Sequence, residues 1–256
     1  MGLFGPKLPV DREEFDWLLA CFAWLHSTIG RRDRKIGYQP TLVLPSDAAL
    51  LGASTARELF DATKRLAGLE QWHCELVKGD ARTDVEYPGL AVGEYSNDQA
   101  LGTFSIEGNA PVIHYNPQLL NKPHQLVATF AHELAHLLIN DLGDPPGGPD
   151  LHEHATDCAA VYLGFGIFLA NGARNFSQFQ DSGMHGWQSE AAGYLSENAL
   201  VTALAIFICH FHMEAEFGPY LKAYLRKDYK AAHRYIARKH PNISDEIDKL
   251  DLAVWS

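Results

Sequence analysis

The chain has 256 residues, 46% of them hydrophobic, which is enough to bury a sizeable core in one domain or in a domain with a helical extension. Its formal net charge of −11 argues against nonspecific binding to nucleic acid or to anionic membranes, since both favour patches of lysine and arginine. We therefore expect neither a nucleic-acid partner nor a membrane partner.

The cysteines and the apolar runs indicate a cytoplasmic protein. The four cysteines are scattered without CxxC spacing, which is typical of reduced thiols. The first residues do not combine a charged start with an apolar core, so no secretory signal is predicted. The longest apolar runs, 159–170 and 199–209, are shorter than the ~20 residues that a membrane-spanning helix needs.

In the first 120 residues, predicted helices alternate with short strands. Apolar residues at helical spacing predict a helix over 11–29, a short strand is predicted over 41–44, and a second helix over 53–66. Four more short strands, separated by glycine, proline, asparagine and aspartate, are predicted over 72–77, 90–95, 103–107 and 112–115. We expect these strands to form a small antiparallel or mixed sheet.

Beyond residue 117 the pattern is almost wholly helical. Helices are predicted over 123–140, 151–170, 189–212, 220–227, 229–239 and 244–252. The loop 141–150, rich in proline and glycine, is the clearest break between elements. The predicted fold class is α+β. We expect a single domain over 1–256, in which residues 1–120 contain the small sheet and residues 121–256 are mostly helical and carry the functional site.

The predicted helix over 123–140 contains a motif that indicates a chemistry. The segment His132-Glu133-Leu134-Ala135-His136 reads HExxH. On a helix the two imidazoles lie four residues apart on one face and can share a Zn²⁺ ion, while Glu133 is directed to the same centre as a candidate base. A metal would also satisfy polar groups that are costly to bury unpaired. The alternative is an exposed polar stripe on an ordinary helix.

A third ligand is expected on the next helix, because catalytic zinc usually takes three protein ligands and leaves a fourth position for water. Glu153 and Asp157 are four residues apart and share a face. We prefer Glu153 as the ligand, with Asp157 accepting a hydrogen bond from the far nitrogen of a ligand histidine. His154 and His152 are rival third ligands. In a further alternative, Glu153 forms a capping box with Asp150 and serves only the helix end.

These motifs resemble those of known families. HExxH followed by ExxxD is similar to the glutamate-ligated zincins, and the order of a small sheet, a metal helix and a second helix matches their α+β layout. Five segments are similar to a family of uncharacterised bacterial proteins regarded as zinc metallopeptidases: PVDREEFDWL near the start, HELAHLL, the HExxTD pattern over 152–157, LGFGIFLAN over 163–171, and Gly193-Tyr194-Leu195-Ser196. The resemblance covers most of the chain and supports Glu153 as a ligand.

The resemblance implies a hydrolase of the zinc metallopeptidase class acting on a peptide or protein whose identity is open. Zinc would activate a water, and Glu133 would take the proton of that water and pass it to the leaving amine. An oxyanion donor is also expected, with Tyr194 favoured by the resemblance and His185 and His210 as alternatives. The zincin layout places an edge strand beside the metal helix, and 112–115, which directly precedes that helix, is the candidate for a strand near the cleft.

The competing hypothesis is a zinc-bound scaffold or sensor that has no proteolytic activity and acts through a partner. Metal ligation alone does not separate the two functions, because it also contributes to folding. Glu133 favours the enzyme, since a purely structural site prefers four protein ligands and does not need a free carboxylate nearby. The basic surface of the C-terminal helices is a candidate docking site for a regulatory protein, and a solvated helical surface is the alternative for it.

Overall fold

The structure is a computed structural model that describes residues 7–79, 101–107, 110–177, 195–213 and 218–255. Within these ranges the fold is α+β and mostly helical, as the sequence predicted. The α-helices are α1 (Arg12–Ile36), α2 (Ala48–Leu51), α3 (Ala56–Leu66), α4 (Pro123–Ile139), α5 (His152–Ala160), α6 (Gly166–Ser177), α7 (Glu197–His210), α8 (Leu225–Lys239) and α9 (Ile243–Lys249). No helix of the described chain is both long and apolar enough to span a membrane.

In the described part of the chain, three strands form a small mixed sheet: β1 (Glu75–Lys78), β2 (Gly102–Glu107) and β3 (Ala110–Tyr115). The order is β1-β3-β2, with β3 parallel to β1 and antiparallel to β2. The strand predicted over 112–115 is β3, which packs against α4 but is the central strand of the three and not an edge. Within the described ranges β1 and β2 are therefore the two edge strands, and β2 is the one that approaches Glu133.

Helix α4 lies at the centre of the fold. It packs against α3, α5 and α6 and against the strands β2 and β3. Every residue from Gln125 to Ala135 is buried, including His132 and Glu133, which are 2% and 4% exposed. Buried polar groups are costly unless they are paired. The hydrogen-bonding needs of these two side chains must therefore be met by protein groups or by a bound ion.

Strand β2 approaches α4 very closely at Gly102. A Cβ atom at this position would lie 2.5 Å from Cγ2 of Thr129 and 3.3 Å from Oε1 of Glu133, both on α4. A larger residue would push the strand away from the helix, because a carbon at 2.5 Å overlaps its neighbour. The absence of a side chain at Gly102 brings the backbone of β2 beside the carboxylate of Glu133.

Other sequence predictions require correction. The predicted strand over 41–44 is a loop, and the buried Val43 donates its N–H to the carbonyl of Gly164 at 3.0 Å instead of pairing in the sheet. The apolar residues of this loop reflect burial and not strand formation. The two helices predicted over 220–227 and 229–239 are one helix, α8. The strand predicted over 90–95 lies outside the described residues.

The predicted helix over 151–170 is interrupted by a π-helical turn, Val161–Phe165, between α5 and α6. Gly164 in this turn has φ of +102°, and a Cβ there would lie 2.0 Å from the carbonyl oxygen of Thr41. Both the backbone conformation and the contact exclude a side chain, so glycine is required. The turn ends α5 just after the residues that face α4 and allows α6 to begin in a new direction.

We expect Gly164→Ala to lower the free energy of unfolding by about 3 kcal/mol, because the methyl group meets backbone and the alanine must adopt positive φ. Gly143→Ala is the matched control, since Gly143 has φ of +80° and no atom within 4 Å of an added Cβ. Its expected loss is about 1 kcal/mol, from backbone strain alone. Urea unfolding of both variants measures the difference, and equal losses would contradict the proposed clash.

A second polar cluster joins α1, α7 and α9 through His26. Its Nδ1 lies 2.9 Å from the hydroxyl of Tyr162 and 3.1 Å from Nε2 of His210, and its Nε2 lies 3.3 Å from Oδ1 of Asp248. His210 is 6% exposed. Burial, together with the neighbouring His26, lowers the pKa of His210 to about 4. The folded protein therefore holds this imidazole in its neutral form at pH 7.

This lowered pKa predicts a loss of stability in acid. In the unfolded chain His210 binds a proton near pH 6.5, whereas in the folded protein it does so near pH 4. The neutral form of His210 therefore makes its full contribution to the free energy of unfolding above about pH 6.5. That contribution declines by about 3 kcal/mol in all as the pH falls to about 4. We expect His210→Gln to show a shallower fall in unfolding free energy over this range. Identical pH profiles for the two proteins would contradict the assignment.

Candidate metal centre

Three side chains from α4 and α5 converge on one point. Nε2 of His132 and Nε2 of His136 are 3.1 Å apart, and Oε2 of Glu153 lies 3.4 Å from each of them. Among the described residues this is the one group of three that could hold a metal ion. Ligands at tetrahedral angles, 2.0–2.1 Å from zinc, lie ~3.3 Å from one another. The three observed separations therefore match three corners of a zinc tetrahedron.

The far nitrogen of His132 is held by Asp157. Oδ1 of Asp157 accepts the Nδ1–H of His132 at 2.9 Å, and Oδ2 accepts the backbone N–H of Leu195 at 2.8 Å. Burial of His132 opposes its protonation, but the hydrogen bonds to Asp157 and Glu153 outweigh burial and raise its pKa well above the usual value. A carboxylate bonded to one ring nitrogen strengthens the other nitrogen as a donor to a metal.

The far nitrogen of His136 is held by a hydroxyl. Oγ1 of Thr156 donates to the carbonyl of His152 at 2.9 Å and lies 3.3 Å from Nδ1 of His136. Since the hydroxyl proton is already used, Thr156 accepts the Nδ1–H of His136. Both histidines are thus held through Nδ1, so that with a metal bound each Nε2 would supply its lone pair to the ion.

Aromatic rings restrict the orientation of His136. The ring of Phe104 in β2 lies nearly parallel to it, at 6.4 Å between centroids and 8° between planes. The ring of His152 is also nearly parallel, at 5.8 Å and 10°. Packed rings resist rotation about the side-chain torsions, because turning the imidazole would separate these stacked contacts. His136 is therefore fixed by contacts from the sheet and from α5.

Glu153 is the most accessible of the three groups, with 41% of its side chain exposed. Partial burial would raise its pKa, but attraction to His136 and hydrogen bonds from both histidines hold the pKa well below the usual value. Glu153 is thus an anion at neutral pH. Its exposure shows that the site can be reached from solvent on the side of α5.

Glu133 lies beside this group without belonging to it. Burial raises the pKa of Glu133, and electrostatic attraction to the nearby imidazoles of His132 and His136 opposes that rise. The backbone N–H of Phe104 donates a hydrogen bond to its carboxylate. The close approach of β2 at Gly102 therefore provides a hydrogen bond that holds Glu133 in place.

The other residues named from the sequence lie elsewhere. His154 packs edge-to-face on Trp17, with ring centroids 6.1 Å apart, and His152 stacks on His136; neither joins the three-ligand group. The capping box of Asp150 and Glu153 is wrong, because α5 begins after Leu151 with no side-chain cap. His210 is hydrogen-bonded to His26 in the second cluster. Tyr194 and His185 lie outside the described residues.

Phe104, Thr156 and the backbone N–H of Leu195 were not identified from the sequence as components of the site. The position of Thr156 in the sequence does point to the site, since it lies three residues after Glu153 and beside Asp157, at the start of the same helix. Phe104 and Leu195 are far from the motif along the chain, and no local pattern connects them with it.

We expect Asp157→Asn to weaken zinc binding by about 10–100-fold, because it removes the charge that supports His132 as a donor and replaces the acceptor of the Leu195 N–H. Asp61→Asn, on the exposed face of α3, is the control for loss of one negative charge and is expected to bind zinc as the wild type does. Competition against a chromophoric chelator measures both affinities. Unchanged affinity in Asp157→Asn would show that the hydrogen bond does not support the ligand.

Comparison of the chain with known proteins leaves its family open. No protein-family model, curated protein or solved structure matches it. The geometry of His132, His136, Glu153, Asp157 and Glu133 is therefore the basis on which a function can be proposed.

Proposed function

We propose that this protein is a zinc-dependent metallopeptidase of the zincin type, in which His132, His136 and Glu153 hold the metal and Glu133 is the general base. The observation that carries the proposal is the placement of a buried carboxylate, Glu133, next to three donors spaced for tetrahedral coordination. A purely structural zinc site prefers four protein ligands. Three ligands and a neighbouring free carboxylate are typical of catalysis.

The donor set fits zinc. Two imidazole nitrogens and one carboxylate form a His₂Glu set, which is found in catalytic zinc sites of peptidases and leaves one position for water or substrate. A zinc ion held there would supply Lewis acidity, lowering the pKa of a water molecule and polarising a carbonyl. The partial exposure of Glu153 supports access to that position.

Glu133 provides the proton transfer. Its buried position raises its affinity for a proton, which brings the carboxylate closer to the proton affinity that suits a general base at neutral pH. It takes a proton from the attacking water and delivers it to the nitrogen of the leaving amine. The hydrogen bond from Phe104 keeps the carboxylate oriented during both transfers.

An extended peptide is the substrate class that the surroundings favour. Strand β2 lies beside Glu133 through Phe104 and Gly102, and within the described ranges it pairs only with β3. Main-chain hydrogen bonds to a strand edge bind peptides with little dependence on sequence. We place the substrate strand along β2, where the sequence had suggested β3.

The test is Glu133→Gln, which is expected to keep the zinc and the fold but to reduce peptide hydrolysis at least about 100-fold, because it removes only the proton acceptor. Wild type and variant, each loaded with zinc, are incubated with cell lysate, and the new N-termini are counted by mass spectrometry. Glu70→Gln, whose side chain is 65% exposed, is the control and is expected to cleave as the wild type does.

Full cleavage by Glu133→Gln, or protein that binds no zinc under the loading conditions, would contradict the proposal. Bound zinc in both proteins without any Glu133-dependent cleavage would instead support a zinc-bound scaffold or sensor.

A further inference from the structure

The loop between α4 and α5 leads directly into the third candidate ligand. Glu153 is the second residue of α5, and this helix begins without a side-chain cap. One turn further along, Asp157 accepts the hydrogen bond from His132 at 2.9 Å, which fixes the middle of α5 against α4. The position of Glu153 itself depends on how the loop enters the first turn of the helix.

Trp17 on α1 contacts both this loop and the first turn of α5. Its Nε1–H donates to the carbonyl of Pro146 at 2.8 Å, and its indole packs edge-on against the ring of His154, with centroids 6.1 Å apart and planes at 82°. Trp17 and Pro146 are both buried, and a buried carbonyl without a donor is unfavourable. The next N–H in the loop, that of Gly147, donates to the carbonyl of Trp255 at 2.8 Å. The loop is therefore held at two adjacent residues.

Helix α1 is itself fixed relative to α5. Nδ1 of His26 lies 2.9 Å from the hydroxyl of Tyr162, in the turn that follows α5. Trp17 and His26 are nine residues apart and His154 and Tyr162 are eight apart, which correspond to about 13.5 Å and about 12 Å at 1.5 Å per residue. The two stretches therefore lie side by side in the same direction, with a contact near each end. The indole of Trp17 thus has a defined position relative to α5.

We propose that Trp17 is a positioning residue for Glu153, holding the loop and the first turn of α5 so that this carboxylate reaches both histidines. The inference rests on the metal ligands of the proposed function but not on hydrolysis. Oε2 of Glu153 lies 3.4 Å from Nε2 of each histidine, and 41% of its side chain is exposed. Metal–ligand distances deviate by only about 0.2 Å in a well-formed site. A small displacement of the loop therefore removes Glu153 from the metal, whereas His132 and His136 remain in place on α4.

A double-mutant cycle on zinc affinity tests the coupling between Trp17 and Glu153. Trp17→Phe keeps an aromatic ring but removes the N–H donor, and it is expected to weaken zinc binding at least tenfold in competition with a chromophoric chelator. In the Glu153→Ala background the same change is expected to alter the affinity less than twofold, because the ligand through which Trp17 acts is already absent. Trp24→Phe is the control and is expected to bind zinc as the wild type does. It removes the same atoms from a buried tryptophan about 10.5 Å further along α1.

The absorption spectrum of the Co²⁺-loaded proteins is a second readout. The spectrum of Trp17→Phe is expected to match that of Glu153→Ala and to differ from those of the wild type and Trp24→Phe, because the same ligand is lost. A general loss of stability does not produce this change in a folded protein, and circular dichroism checks the fold of each variant. If Trp17→Phe does not fold, 3-benzothienylalanine at position 17 replaces it in the cycle, since this residue keeps the size of the indole and lacks the N–H.

The proposal is overturned if Trp17→Phe weakens zinc binding equally with and without Glu153, if Trp24→Phe has the same effect, or if Trp17→Phe keeps the affinity and cobalt spectrum of the wild type. Wild-type protein that binds no zinc overturns the inference together with the proposed function. Zinc-dependent cleavage without coupling between Trp17 and Glu153 contradicts the inference alone. Coupling in a protein that shows no Glu133-dependent cleavage supports the inference and contradicts the peptidase alone.

Discussion

The hydrogen bond between His132 and Asp157 is the contact on which the rest of the candidate metal centre depends. Its 2.9 Å length joins α4 to α5, and the second oxygen of the same carboxylate accepts the N–H of Leu195 just before α7. Asp157 is 1% exposed, so water does not compete effectively for either bond. The direction of Nε2 of His132, and with it the distances to His136 and Glu153, follows from this buried carboxylate.

Two glutamates at one site acquire opposite properties from their surroundings. Glu133 is enclosed by the core, and burial raises its pKa. Glu153 is partly exposed, and two histidines lower its pKa. The first environment favours accepting a proton, and the second favours a permanent anion that can hold a cation. Because the two residues lie on different helices, the packing of α5 on α4 is what creates the division of roles.

The sequence predicted the positions of the side chains at the candidate site better than it predicted the order of the strands in the sheet. His132 and His136 share a face because four residues are about one helical turn, and Glu153 and Asp157 share one for the same reason. Strand order has no comparable local rule, since β3 precedes α4 along the chain while β2 is the strand that borders Glu133. The loop over 41–44 was mistaken for a strand because an apolar run shows burial without showing its pairing partner.

The sequence by itself determined the buried helix α4, the positions of the candidate metal ligands along it, and the acidic pair on the following helix, because helical periodicity depends only on neighbouring residues. Only the tertiary structure decided that Glu153 reaches both histidines, that Phe104 donates a hydrogen bond to Glu133, and that the backbone N–H of Leu195 donates to the second oxygen of Asp157. Each of these contacts joins residues from separate elements, and the packing of helices and strands places such residues together.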